Sequence, residues 1–221
     1  MNLFHVPARV HGRVVVRAAP GADLAGRGTR SRLLLVFHGY GQRAETMVTE
    51  LAGVPGIDAW TIASVQGLHA FYNRSQEVVA SWMTKEDREL AIGANVAYVD
   101  DVTVALQRDR RADVIVCLGF SQGASMAWRA GVLGRRRADG VVALGGDIPP
   151  ELKTAPAGDF PIGLVAGGTR DDWYTAAKMD ADLALLTEKG APHGSLRFDG
   201  GHEWTDEFRA ELGRFLSALA G

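Results

Sequence analysis

The sequence predicts an α/β fold, with a mostly parallel central sheet of about seven strands and helices on both faces. Three observations predict it. Uninterrupted apolar runs such as Leu33-Leu34-Leu35-Val36-Phe37 suit strands that are covered on both sides. Segments with apolar residues at helical spacing alternate with these runs, the pattern of parallel strands joined by crossover helices. Several runs end directly in glycine-bearing turns, which in an open parallel sheet gather at one edge, where ligands bind.

Taken in order, residues 10–19 carry Val14-Val15-Val16 between arginines and form an outer strand closed by Pro20-Gly21. Residues 21–32, rich in glycine and charge, read as a surface loop. The apolar run 33–37 is a central strand that leads into His38-Gly39-Tyr40-Gly41-Gln42, and 43–53 is a short helix. Residues 59–65 are β-branched and apolar, hence a strand, whereas 66–83 shows no period and reads as a long loop holding Phe71, Tyr72 and Trp82. Thr84-Lys85-Glu86-Asp87 offers a capped acidic helix start, and Ile92, Val96, Val99, Val102 and Leu106 continue at helical spacing. Residues 113–118 are a buried strand and 124–133 a helix; 140–144 and 160–166 are further strands. A helix over 176–189 stops at Gly190, 195–198 is a last strand, and Trp204, Phe208, Leu212, Phe215 and Leu219 stripe a final helix.

Composition sets the bounds. The chain has 221 residues, 47% hydrophobic and 23% charged, with a formal charge of −2. One domain over 1–221 with no separate lid domain is expected. The charge balance argues against general affinity for nucleic acid or anionic lipid, and no window reaches the ~18 apolar residues of a membrane span. Arg135-Arg136-Arg137 reads as a solvated helix end. The single cysteine, Cys117, lies in an apolar strand and reads as an inert core residue that makes no internal disulfide. Cytoplasmic residence is the default expectation, with a monomer or homodimer as the assembly.

Gly119-Phe120-Ser121-Gln122-Gly123 between strand and helix is a G-x-S-x-G corner in its expected setting. A serine there is held in a strained conformation with its hydroxyl above the sheet, and the crowded positions two before and two after it admit only glycine. Alone, such a cluster could merely pack a helix tightly on a strand. A serine hydroxyl is a poor nucleophile at neutral pH and needs an imidazole to take its proton. His202, on a loop behind Gly200 and Gly201, is the best placed of six histidines; His5, His11, His69 and His193 lack a comparable setting, and His38 is expected to brace its loop. A carboxylate must then fix the imidazole. Asp171 and Asp172 both follow the right strand, with Asp171 favoured by the spacing Gly168-Thr169-Arg170-Asp171 and Asp147 as an outside candidate. Two backbone N–H groups, of Tyr40 and of Gln122, are candidates for an oxyanion hole. Phe71, Tyr72, Trp82, Trp173 and Tyr174 are candidate walls of a substrate pocket, although aromatic residues on a loop can equally cap the core.

On His38-Gly39-Tyr40-Gly41, the G-x-S-x-G corner, Gly168-Thr169-Arg170-Asp171 and Gly201-His202-Glu203-Trp204, the chain from about residue 33 onward resembles the α/β-hydrolase superfamily. Within it the likeness is to the phospholipase/carboxylesterase group of small serine esterases, which includes acyl-protein thioesterases. The resemblance implies the α/β-hydrolase fold, with nucleophile, acid and base on Ser121, Asp171 and His202 and oxyanion donors at Tyr40 and Gln122. Two departures stand out. Asp171 is followed by Asp172-Trp173-Tyr174-Thr175 instead of a short apolar-proline segment, and the sheet is one strand short of the usual eight.

The expected chemistry is hydrolysis of small or medium carboxylic esters through an acyl-enzyme. No cofactor and no metal are implied, and the partner is a small-molecule ester. Thioester or lysophospholipid hydrolysis on longer acyl chains is the alternative within enzymes; a catalytically silent binding protein of the same fold is the alternative outside them.

Overall fold

Leu33, Leu35 and Phe37 pack into one apolar cluster and Leu34 and Val36 into another, because successive side chains of a strand leave on opposite faces. All five are buried, so this strand is covered on both sides. A computed structural model describes residues 1–19, 30–108 and 111–220 of the chain. The expected turn at Pro20-Gly21 and most of the expected 21–32 loop lie outside the described residues.

The strands are β1 (Val14–Arg17), β2 (Arg32–Phe37), β3 (Thr61–Val65), β4 (His69–Tyr72), β5 (Val78–Ser81), β6 (Val114–Phe120), β7 (Gly140–Leu144), β8 (Ile162–Gly168) and β9 (His193–Phe198). The helices are α1 (Ala44–Glu50), α2 (Arg88–Leu106), α3 (Gln122–Leu133), α4 (Ala176–Glu188) and α5 (Asp206–Ala220). Among the described residues seven strands form one sheet in the order β1-β3-β2-β6-β7-β8-β9. Only β1 pairs antiparallel, with β3; every other neighbour is parallel. Val99 and Val102 of α2, Trp128 of α3 and Leu186 of α4 join the cluster on one face, while Met47 of α1 and Phe208, Leu212 and Leu216 of α5 join that on the other. Cys117, on β6, is buried, which pushes its thiol up to about 12 and leaves it unreactive.

The chain runs from β2 outward to β3 and then returns to lay β6 on the other side of β2. Open parallel sheets bind their ligands at such a reversal, and the Tyr40 and Ser121 turns both begin there.

Two segments differ from the sequence expectation. Residues 66–83 are not a loop: β4 and β5 form an antiparallel hairpin. Asn73 Oδ1 closes its turn by accepting the N–H groups of Ser75 and Glu77. The hairpin docks on the turn after β2, where Gly41 N–H donates to Ala80 O and Ala80 N–H to Gln42 O. Helix α2 begins at Arg88, four residues past Thr84, because the Thr84 hydroxyl accepts the Glu86 N–H in a separate turn and Asp87 takes a φ of 49°. No helix among the described residues is long and apolar enough to cross a membrane.

Candidate active site

Ser121 closes β6 and caps α3, with φ 55° and ψ −121°, a region that a residue with a side chain rarely enters. Crowding on both sides leaves the chain no other path. A Cβ on Gly119 would overlap the Gly123 carbonyl; one on Gly123 would lie 2.6 Å from the His38 carbonyl oxygen and closer still to that of Phe37. Ser121 N–H donates to Leu144 O, and a Cβ on Gly146 would overlap the Ser121 carbonyl, so the β7 turn presses on the corner from a third side.

His202 and Asp171 arrive from the loops after β9 and β8. His202 Nε2 lies 2.8 Å from Ser121 Oγ, and His202 Nδ1 lies 2.7 Å from Asp171 Oδ2. The other carboxylate oxygen, Oδ1, accepts the N–H groups of Trp173 at 2.8 Å and Tyr174 at 2.9 Å. Burial pushes the Asp171 carboxyl up, but those two N–H groups and the His202 ring outweigh it and hold the group below the usual carboxylate range. Asp171 is therefore charged at neutral pH and keeps the ring proton on Nδ1, which leaves Nε2 free to accept the serine proton. Asp172 is exposed and Asp147 likewise, and the hydrogen bonds of the imidazole go to Asp171 and Ser121.

Some contacts that fix the imidazole had no signal in the sequence. Phe120, the variable residue of the G-x-S-x-G corner, lies with its ring 4.9 Å from that of His202. Glu203 Oε1 accepts the Gly201 N–H and so stiffens the loop that carries His202.

The two candidate oxyanion donors are set by the peptides before them. Gly39 O accepts from the Gln42 N–H and lies 2.7 Å from His38 Nδ1. Because His38 Nε2 accepts the Gly67 N–H at 3.0 Å, its proton must sit on Nδ1 and be donated to Gly39 O. Burial lowers the His38 pKa and keeps the ring neutral, as that arrangement needs. In a planar trans peptide the N–H points opposite to the C=O, so the Tyr40 N–H turns away from His38. Ser121 O likewise accepts from Ala124, turning the Gln122 N–H outward at the first turn of α3. The Gln122 side chain clamps the hairpin, accepting from Trp82 N–H and donating to Met83 O.

The five aromatic pocket candidates divide. Phe71 stacks on Tyr40 with ring centroids 5.4 Å apart, and Tyr72 and Trp173 are 69% and 75% exposed. Trp82 and Tyr174 wall no cleft, contrary to expectation. Trp82 is buried against Phe37 and His38 with its indole N–H on His38 O, and Tyr174 is buried with its hydroxyl on Asp182. Both are large rings with one polar atom, and each is buried where that atom finds an acceptor.

A glycine-framed serine at the central strand's end, with an imidazole and a carboxylate from later loops, is the arrangement of an α/β-hydrolase. Residues 24–167 match the Phospholipase/Carboxylesterase family, and the chain belongs to that family. Among proteins similar in sequence is NocK of Nocardia uniformis subsp. tsuyamanensis, assigned as an esterase and 28% identical over 158 residues. That match covers 69% of this chain and 43% of NocK, so the chain spans less than half of that relative's length. Solved structures share the fold. Acyl-protein thioesterase 2 of Zea mays is 17% identical with a TM-score of 0.74, covering 96% of this chain and all of that one. The carboxylesterase of Bacillus cereus is 16% identical with a TM-score of 0.74, covering 94% of each chain.

Proposed function

We propose that this chain is a serine hydrolase that cleaves small or medium carboxylic esters through an acyl-enzyme. Ser121 is the nucleophile, His202 the general base and acid, and Asp171 the carboxylate that orients the imidazole. The observation that carries this reading is the unbroken relay from Ser121 Oγ through both nitrogens of His202 to Asp171. Family membership and the likeness to NocK, assigned as an esterase, support it.

In this reading Ser121 Oγ attacks the ester carbonyl carbon while His202 Nε2 takes its proton, and the imidazolium formed is stabilised by the charged Asp171. The negative oxygen of the tetrahedral intermediate lies against the N–H groups of Tyr40 and Gln122, whose orientation is fixed in the ground state and costs no rearrangement in the transition state. His202 then gives its proton to the leaving alcohol, and water repeats the sequence to release the acid.

A fluorophosphonate probe tests the reading. The protein should be labelled, and Ser121→Ala should abolish labelling while retaining the fold. Ser121→Ala and His202→Ala should each lower kcat on a nitrophenyl ester by at least ~10³. Absence of labelling in the intact protein would mark a silent binding protein of the same fold. A chain-length series of nitrophenyl esters beside an acyl-CoA reads the acyl preference, and turnover rising towards the longest chains would overturn the small-ester assignment.

A further inference from the structure

Asp182 lies outside the relay yet touches two of the loops that frame it. It sits on α4 and is 6% exposed. Its Oδ2 accepts two hydrogen bonds, from the Tyr174 hydroxyl at 2.7 Å and from the Ile148 N–H at 3.1 Å. The Tyr174 N–H is one of the two donors that hold Asp171 Oδ1. Ile148 belongs to the loop after β7, where Gly145 lies against the His202 ring and Gly146 against the Ser121 carbonyl. One carboxylate oxygen therefore ties the loop of the acid to the loop that backs the base and the nucleophile.

Packing alone does not call for a carboxylate there. A buried charge is unfavourable unless it is paired or well hydrogen-bonded, and an apolar side chain would fill the space without that penalty. Burial pushes Asp182 up to about 6, partly offset by the Tyr174 hydroxyl and the Ile148 N–H; Asp147 adds to the upward push and Lys153 opposes it. What the residue supplies in return is a fixed acceptor for two donors on separate loops. Tyr174 is held at both ends, by its N–H on Asp171 and its hydroxyl on Asp182, so loss of the far anchor frees the ring and with it the peptide that orients Asp171.

We propose that Asp182 is a positioning residue, which holds Asp171 at the His202 imidazole through Tyr174 and registers that pair against the β7 loop. This rests on the hydrolase reading above for its effect on turnover, but not for its effect on the imidazole.

Three variants test it: Tyr174→Phe, Asp182→Ala and Asp182→Asn, the last keeping an amide oxygen able to accept both hydrogen bonds. On a nitrophenyl ester, kcat should fall about tenfold in Tyr174→Phe and Asp182→Ala with KM nearly unchanged, and Asp182→Asn should restore most of it. The proton resonance of His202 Nδ1 should move in the first two variants and return in the third. That second readout needs no turnover. If the wild-type protein hydrolyses no ester and takes no fluorophosphonate while the resonance still responds in this order, the hydrolase reading fails and the positioning role stands. If Tyr174→Phe and Asp182→Ala only lower the melting temperature, with kcat and the His202 resonance at wild-type values, Asp182 is a core residue and the proposal is overturned, while labelling of the wild type would leave the hydrolase reading intact.

Discussion

Replacing Asp171 by asparagine changes one atom, and the geometry dictates where that atom goes. Oδ1 accepts two backbone N–H groups, from Trp173 and Tyr174, so an amide NH₂ placed there would face two donors. The amide must therefore keep its oxygen on that side and turn Nδ2 towards His202 Nδ1. A donor now faces Nδ1, which has to become an acceptor, and the ring proton moves to Nε2. With Nε2–H facing Ser121 Oγ, the imidazole cannot take the serine proton. A wrong tautomer in a triad of this kind lowers kcat by roughly 10⁴, equivalent to about 5.5 kcal/mol of transition-state stabilisation. Burst kinetics with a nitrophenyl ester measure the acylation step, ¹⁵N spectra of the His202 ring read the tautomer, and thermal melting checks the fold. Asp172→Asn is the control: its side chain is exposed, and kcat should stay within about twofold, as for most surface substitutions. An Asp171→Asn protein that keeps activity within tenfold of wild type, or equal losses at both positions, would exclude Asp171 as the group that sets the imidazole tautomer.

Other perturbations have equally definite outcomes. Gly123→Ala drives a methyl group into the end of β2 and should destabilise by about 3 kcal/mol in urea unfolding, with loss of activity because the corner and the Tyr40 turn must separate. Ser121→Gly, at a φ of 55°, should abolish activity yet raise stability by about 1 kcal/mol, and lowered stability would show the corner to be unstrained. For Asp182, the folded state holds its proton more tightly than the unfolded chain, so its contribution is present below the ordinary carboxylate range and is lost as pH rises through about 6. Between pH 4 and pH 7 the wild type should therefore lose up to about 3 kcal/mol relative to Asp182→Asn, measured by urea unfolding at each pH.

Much of this architecture could be read from the chain alone, because the strands of a sheet covered on both faces are continuous apolar runs and their ends are marked by glycines. That Ser121, Asp171 and His202 come together was legible in the turns that carry them, and so was the need for Gly119 and Gly123. What escaped was decided by side-chain contacts that leave no period or spacing in the sequence. The β4–β5 hairpin has neither strict alternation nor a two-residue glycine turn; Asn73 closes it with its own side chain, and docking on the Gly41–Gln42 turn holds it. Trp82 and Tyr174 were candidate cleft walls, with capping of the core the equal alternative for a loop aromatic, because a ring in a loop gives no sign of which way it faces. Thr84 imitates a helix cap but closes a turn of its own. The side-chain roles of Gln122 and Phe120 were hidden because both occupy positions that the corner leaves free in type.

The wedge of Gly123 between the ends of β2 and α3 has a practical consequence for redesign. Ser121 and the Tyr40 turn meet at one steric joint, so enlarging either one shifts the other, and in the proposed hydrolase substitutions made there to admit bulkier acids will trade rate for room. The hairpin meets that joint from outside, through Ala80 against Gly41 and Gln42, and leaves Tyr72 in solvent. For the proposed ester chemistry, libraries aimed at new acyl or alcohol groups therefore belong on the hairpin tip, where change leaves that joint alone.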